Sequence, residues 1–260
     1  EFHDYVGVYP MTALPNTPFF EPSYIKEYGI DIVETTPAFF HHDYPDMLMD
    51  EKEYMVVGSD TMNREEYVEA SIWRWMFMFA HFLGFTQHIS RVLNSTHDIS
   101  YREFYTKFYN WMENNPNTFL GKEMSTTKDT LTKVLKKETL WGRKVEETTG
   151  EYYWDYEEAT SIRIVTNREE FDKNLRSFLI DEFKHIDVAL LDDLLLFQKM
   201  ICTNPFEQYP KKVPFNFNIK EVIFENKPIK NGGHTYEFNS ENWDSDVKQW
   251  CTINMWWGRR

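Results

Sequence analysis

The side chains able to do chemistry are few and widely spaced. Cys202 and Cys251 are the only thiols. They lack the CxxC spacing of a zinc site, and two distant thiolates fall short of the three or four that an iron–sulfur cluster takes from cysteine. His41-His42-Asp43 looks at first like a metal pair, but adjacent residues of an extended chain point to opposite faces, which favours a polar loop. His81 and His88 fall on one helical face two turns apart, too far to share an ion with no carboxylate between them. His81 is better read as a hydrogen-bonded core histidine. A di-metal helical enzyme needs two Glu-x-x-His pairs, and Glu182 with His185 supplies one. Glu157-Glu158 and Asp192-Asp193 read as solvated faces or helix-start charges, because paired catalytic carboxylates usually come from different elements. There is no Ser-His-Asp order, Gly-rich phosphate loop or HExxH. These residues by themselves assign no catalytic side chain and no metal ligand.

Arg74 is more informative. It interrupts a run of Trp, Met, Phe, Ala and Ile, and a guanidinium in such surroundings needs a carboxylate, an aromatic face or an anionic ligand. A structural salt bridge is the favoured partner. The element that carries it is expected to be one long, largely buried helix over residues 64–94. Thr61 or Asn63 can cap its first amides, Glu65, Glu66 and Glu69 sit near its positive end, and its apolar groups occur around much of the circumference.

Around that helix the spacing predicts others. Pro22 and Gly29 bracket a short helix over 21–28, and Ser100-Tyr101-Arg102-Glu103 is a capping-box pattern opening a helix to about 113. Further helices are expected over 126–137, 157–165, 168–183 and 188–201. Residues 2–14 read as a strand stopped by Pro15 and Pro18, residues 54–57 as a short strand in a mostly looped stretch to 60, and the region after 205 as a small hairpin around Asn231-Gly232-Gly233. The tail from 243 returns to helical character. The expected fold class is predominantly α-helical (α+β), a helical bundle around a long central helix with an N-terminal strand and a small C-terminal β-hairpin.

Composition sets the outer limits. The chain of 260 residues is 42% hydrophobic and carries 9 Trp, 15 Tyr and 21 Phe, enough to fill one sizeable core or two small ones. Its formal charge of −14 repels phosphate backbones and anionic headgroups, so nucleic acid is not an expected partner. No apolar run reaches the roughly 20 residues of a membrane span, and the first residues lack the basic and apolar regions of a signal peptide. A cytoplasmic location is expected. The chain also begins inside an apolar stretch with no initiator Met, which suggests a piece of something longer.

Several runs go beyond composition: LPNTPFFEPSYIKEYGI, EKEYMVVGSDTMNREEYVEASIWRWMFMFAHFLGFTQHISRVL, YREFYTKFYNWM and the closing WWGRR. The most specific parts are Leu14-Pro15-Asn16, Met62-Asn63-Arg64-Glu65, and His81-x-Leu83-Gly84-x-Thr86-Gln87. Together these resemble the segment that follows the catalytic barrel in bacterial radical S-adenosylmethionine (radical SAM) proteins with an N-terminal cobalamin-binding domain. In that family a four-iron four-sulfur cluster on a CxxxCxxC motif cleaves S-adenosylmethionine. The motif is missing here, as is any cobalamin-binding sequence, so the resemblance implies a C-terminal portion that is not catalytic alone.

On this likeness residues 1–20 would hold the last strand of a truncated barrel, 21–60 a connection, 61–204 a helical domain, and 205–260 the hairpin and helical tail. No cofactor is expected on this chain alone. S-adenosylmethionine, the iron–sulfur cluster and cobalamin would belong to the full-length protein, whose N-terminal radical SAM and cobalamin-binding domains would be the partners. The substrate would be a small or glycan-linked molecule. Asn16 would approach a cofactor at the C-terminal end of a barrel strand, where such enzymes place ligands. Arg74, Thr86, Gln87 and Arg91 would contact substrate or the missing domains. The competing expectation is a stand-alone helical interaction or small-ligand-binding module without catalysis.

Overall fold

The computed structural model describes residues 7–36, 41, 52–202, 207–240 and 246–254. A proline at its first position starts α1 (Pro22–Glu27), and β1 (Asp31–Thr35) then pairs antiparallel with β2 (Glu53–Gly58), Ile32 opposite Val56. Asn63 and Glu66 form a reciprocal capping box that opens α2 (Arg64–Phe77), with Asn63 Oδ1 accepting from Glu66 N at 2.9 Å and Glu66 Oε2 from Asn63 N at 2.8 Å. Arg64 at that end forks onto Asp31, tying α2 to β1.

The expected continuous helix over 64–94 is two helices. After α2 the chain widens into a π-helical turn (Met78–Phe82), and α3 (Gln87–His97) begins only after a break. The cause is local. Gly84 takes φ +88, a left-handed conformation that the helix cannot continue, and both the Thr86 amide and its hydroxyl bond back to the Ala80 carbonyl, at 2.7 and 3.0 Å. The helical ladder is thereby closed off.

The next helices follow the expected order. Ser100 accepts from the Glu103 amide at 3.1 Å and opens α4 (Tyr101–Asn114), while Thr118 caps α5 (Phe119–Leu135), which starts well before the expected residue 126. Gly121 is required in α5, because a Cβ there would lie 2.2 Å from the Asn115 carbonyl oxygen. A two-residue ladder, β3 (Arg143–Lys144) with β4 (Tyr153–Trp154), encloses α6 (Glu146–Thr149) and leads to α7 (Tyr156–Thr166). Then come α8 (Arg168–Glu182) and α9 (Val188–Ile201), both close to expectation.

The C-terminal hairpin is more elaborate than its sequence suggests. β5 (Lys211–Phe217) and β6 (Asn231–Phe238) pair antiparallel, but α10 (Ile219–Glu225) occupies part of what reads as strand. Asp193 fixes this unit on α9 by accepting from the amides of Asn216 and Phe217, at 2.6 and 2.9 Å. The described tail contains α11 (Val247–Asn254). The chain is a predominantly helical α+β protein, and one buried cluster runs from Val33 to Cys251 with Trp75, Phe79, Phe104, Phe108, Phe178 and Phe183 at its centre.

The first segment departs from the expected strand. Residues 2–6 lie outside the described residues, and over 7–14 the extended chain makes a single bridge, Thr12 with Met55, rather than a ladder. Pro10 removes a donor in the middle of the stretch. What remains is a ribbon along β2, held by Ala13 N to Tyr54 O at 2.7 Å and Val56 N to Met11 O at 3.0 Å.

Candidate functional site

Two buried polar clusters flank the break between α2 and α3. The first forms at the start of α7. Asp155 is its N-cap, with Oδ1 2.8 Å from the Tyr156 amide, and this places Glu157 and Glu158 in the first turn. They are helix-start charges, as expected, but not a solvated face: Glu157 is 1% exposed and Glu158 3%. The residues that follow, Ala159-Thr160-Ser161-Ile162, offer no charged outer face, so the whole turn lies inside.

Arg74 enters this cluster from α2. Its Nε donates to the Val8 carbonyl at 2.7 Å, and its Nη2 lies 3.1 Å from Asp155 Oδ2 and 3.4 Å from Glu157 Oε1. Burial works against its charge, and Asp155 and then Glu157 more than restore it, leaving its pKa above the ordinary guanidinium value. The favoured salt bridge is therefore present. Trp141 Nε1 also donates to Asp155, at 3.3 Å, and Glu158 Oε2 meets His41 Nε2 at 2.7 Å. Glu157 Oε2 has no partner among the described residues. Burial first, and the neighbouring Asp155 second, push the Glu157 pKa up to about 8. The raised pKa favours the neutral acid for Glu157 at neutral pH, beside the Arg74 guanidinium.

The second cluster lies within the break. His81 Nδ1 and the Tyr105 hydroxyl are 2.8 Å apart, and the same hydroxyl reaches Ser90 Oγ at 3.3 Å and Thr86 Oγ1 at 3.4 Å. His81 is thus the hydrogen-bonded core histidine that its sequence setting suggests. Burial raises the Tyr105 pKa above the ordinary phenol value, so the hydroxyl remains protonated. The Gly84 carbonyl is held from α9, by Gln198 Nε2 and by Cys202 Sγ at 3.1 Å, while Gln198 Oε1 accepts from His88 N at 2.9 Å. This pins the turn in place.

The five residues singled out from the sequence do not converge. Arg74 belongs to the α7 cluster and Thr86, fully buried, to the Tyr105 network. Gln87 and Arg91 are half-buried on α3, and Asn16 is an exposed turn residue at φ +65. Asp155, Tyr105 and Glu123 carry no sequence signal of their own and Glu158 reads only as a solvated or helix-start charge, although Asp155-x-x-Glu158 is itself a capping-box spacing. Asp192 pairs with Arg176 at the surface, whereas its neighbour Asp193 is buried. A separate polar cavity of about 480 Å³ is lined by Glu34, Thr35, Lys52, Lys137, Glu138 and Tyr153. It includes none of the five.

Among the described residues no group of three His, Cys, Asp or Glu side chains could hold a metal ion. Cys202 lies between half-buried and covered, with its thiol pKa raised by burial, and Cys251 is buried with its thiol pushed up to about 12. Both favour the neutral thiol over the thiolate that metals take. These residues do not fit a cluster site. No helix among the described residues is long and apolar enough to cross a membrane.

No protein-family model matches the chain. Two curated proteins are similar to it, each 31% identical over 121 residues, which is 46% of this chain and 17% of the relative. One is the 2-(S-pantetheinyl)-carbapenam-3-carboxylate methyltransferase of Streptantibioticus cattleyicolor, the other the cobalamin-dependent radical SAM methyltransferase TokK of Streptomyces tokunonensis. The matched stretch is therefore about a sixth of each relative's length. Across nearly half of its residues the chain is similar to two methyltransferases, one of them named as a cobalamin-dependent radical SAM enzyme, in agreement with the resemblance seen in its motifs.

Proposed function

We propose that this chain is the C-terminal, non-cluster-binding portion of a cobalamin-dependent radical SAM methyltransferase, packed against the catalytic barrel and helping to shape the substrate site. The observation that carries this reading is the 31% identity to two methyltransferases over 121 residues. The cysteines agree with it, since two separated thiols fall short of the three or four that such a cluster takes from cysteine. On this reading residues 1–20 lead out of the barrel, 21–60 connect, 61–204 form the helical domain and 205–260 the hairpin and tail.

In the full polypeptide the iron–sulfur cluster with S-adenosylmethionine would supply radical generation, and cobalamin the methyl group. This chain contributes a rigid wall. The π-helical turn and the break at Gly84, fixed from α4 by Tyr105 and from α9 by Gln198, hold the exit of α2 and the start of α3 in one arrangement. π-helical turns often accompany functional positions, and Gln87 and Arg91 follow directly on the half-buried face of α3. The substrate would be a small molecule, as the name of the first relative indicates for that enzyme.

The test is the coding sequence upstream of Glu1 together with the protein it encodes. An in-frame CxxxCxxC is expected, with methyl transfer from the reconstituted full-length protein. An upstream frame without that motif would sink the reading.

A further inference from the structure

One stretch of the chain exposes side chains that solvent should wet least. Six of the nine large hydrophobic side chains that stand exposed among the described residues fall between residues 8 and 28: Val8, Tyr9, Met11, Leu14, Phe19 and Tyr28. Tyr9 is 71% exposed and Leu14 59%. Single exposed apolar residues are ordinary on any protein, but a concentration of them in one segment marks a surface that is covered in use.

Charge gives the second observation. The chain is 27% charged, yet no charged residue occurs between Asp4 and Glu21. Over the described part of that stretch only Ala13 is buried. A water-facing ribbon would normally carry its share of Lys, Glu and Asp, and an edge beside a sheet is usually blunted by them. This one is not. The bare composition also rules against a highly charged occupant, since no side chain here could pair with it.

The third observation is that the ribbon is anchored by its backbone rather than by its side chains. The Val8 carbonyl accepts from Arg74 Nε at 2.7 Å, the Val8 amide lies 3.5 Å from Met78 Sδ, Met11 O accepts from Val56, and Ala13 N donates to Tyr54. Farther along, Phe19 meets Tyr24 edge to face and Tyr24 meets Tyr28 at a tilt, with centroids 5.1 and 4.5 Å apart, while Phe20 packs on Tyr54 at 4.7 Å. The main chain is fixed and the apolar side chains face outward. Such a surface loses little conformational freedom when it is covered.

We infer that the uncharged segment of residues 8–20, with Tyr9, Met11 and Leu14 at its centre, is the docking surface for the catalytic barrel of the same polypeptide. This rests on the proposed reading of the chain as a C-terminal portion. The relatives extend far beyond the matched stretch, which is 17% of their length, so a large body of chain is available as occupant. Covalent linkage gives that occupant an effective concentration that a second copy or a separate partner would not match.

Side-chain footprinting of the full-length polypeptide with hydroxyl radicals, read by mass spectrometry, tests this without a mutation. Phe224 and Val188, exposed here and outside the ribbon, serve as references. Tyr9, Met11 and Leu14 are expected to label at least fivefold less than those references, at every protein concentration. Labelling of the ribbon equal to the references would overturn the proposal. So would protection that disappears on dilution as light scattering passes from dimer to monomer, because the occupant would then be a second copy. Tyr9→Ser with Leu14→Ser in the full-length polypeptide should restore Met11 labelling while leaving the helical circular dichroism unchanged. An absent CxxxCxxC would refute the enzyme reading separately, whatever the footprint shows.

Discussion

Glu123 and Glu157 are both buried carboxyls facing arginines near α7, and they are satisfied in opposite ways. Glu123 on α5 has each oxygen matched: Oε1 takes Arg163 Nε at 2.6 Å, and Oε2 takes Arg143 Nη1 at 2.9 Å and Thr160 Oγ1 at 3.1 Å. Arg143 and Thr160 in turn touch Thr127 and Trp75. Glu157 has one oxygen on Arg74 at 3.4 Å and the other unpartnered among the described residues. The complete network gives both oxygens of a buried carboxyl a partner, two of them guanidinium groups. The incomplete one drives its carboxyl toward the neutral acid, because a half-solvated charge in the interior is costlier than a retained proton.

The strongest way to break that contrast is Glu123→Ala. It strands Arg143, 8% exposed, and removes a junction between α5, α7 and β3. A loss on the order of 3–5 kcal/mol is expected, read as a drop in urea midpoint at constant slope. A loss below about 1 kcal/mol would mean that the network is not holding these elements. Arg74→Ala should cost somewhat less, about 2–3 kcal/mol, because Asp155 is partly solvated and Glu157 can remain neutral. It should also free Val8, so amide exchange at the ribbon should quicken while α4 and α8 stay protected.

What the sequence makes visible here follows the range of the interactions. The helices α4, α8 and α9 are legible because caps and apolar spacing act over a few residues, as with Ser100 on Glu103. The need of Arg74 for a carboxylate is legible from its apolar neighbours, but Asp155 lies 81 residues away and nothing local points to it. The break after α2 is hidden for the same reason. Gly84 is tolerated in helices, and here its carbonyl is claimed by Gln198 on α9 and by Cys202 at its C-terminal cap. β1 was missed because its pairing with β2 crosses a long intervening stretch. The ribbon reads as a strand because its Tyr, Val and Thr residues favour extended backbone. Its exposure is a property of the arrangement and not of any local pattern.

Tyr105→Phe probes the Thr86 network at an intermediate scale. It removes the hydroxyl shared by His81, Ser90 and Thr86 while keeping the ring that packs on Phe77 and Phe104. Ser90 retains the Gln87 carbonyl and Thr86 that of Ala80, leaving His81 to bear most of the change. A loss of about 1–2 kcal/mol is expected from thermal or urea unfolding.

The smallest effect at neutral pH, and the sharpest test of the contrast, belongs to Glu157→Gln. The amide imitates the neutral acid, so stability near pH 6 should change by less than about 1 kcal/mol, whereas Glu123→Gln should be costly at the same pH. The sign follows from the raised pKa. Between the ordinary value of 4.5 and about 8 the folded protein holds a proton that the unfolded chain has released, so stability from this group falls as pH rises and levels off above that range. Measured across that window and up to about pH 8, the parent should lose stability with a slope that the Gln variant lacks. Parallel curves for the two proteins would mean that Glu157 is ionised in the fold at neutral pH. Arg74 would then hold two charges rather than one, and the distinction between the complete and the incomplete network would collapse.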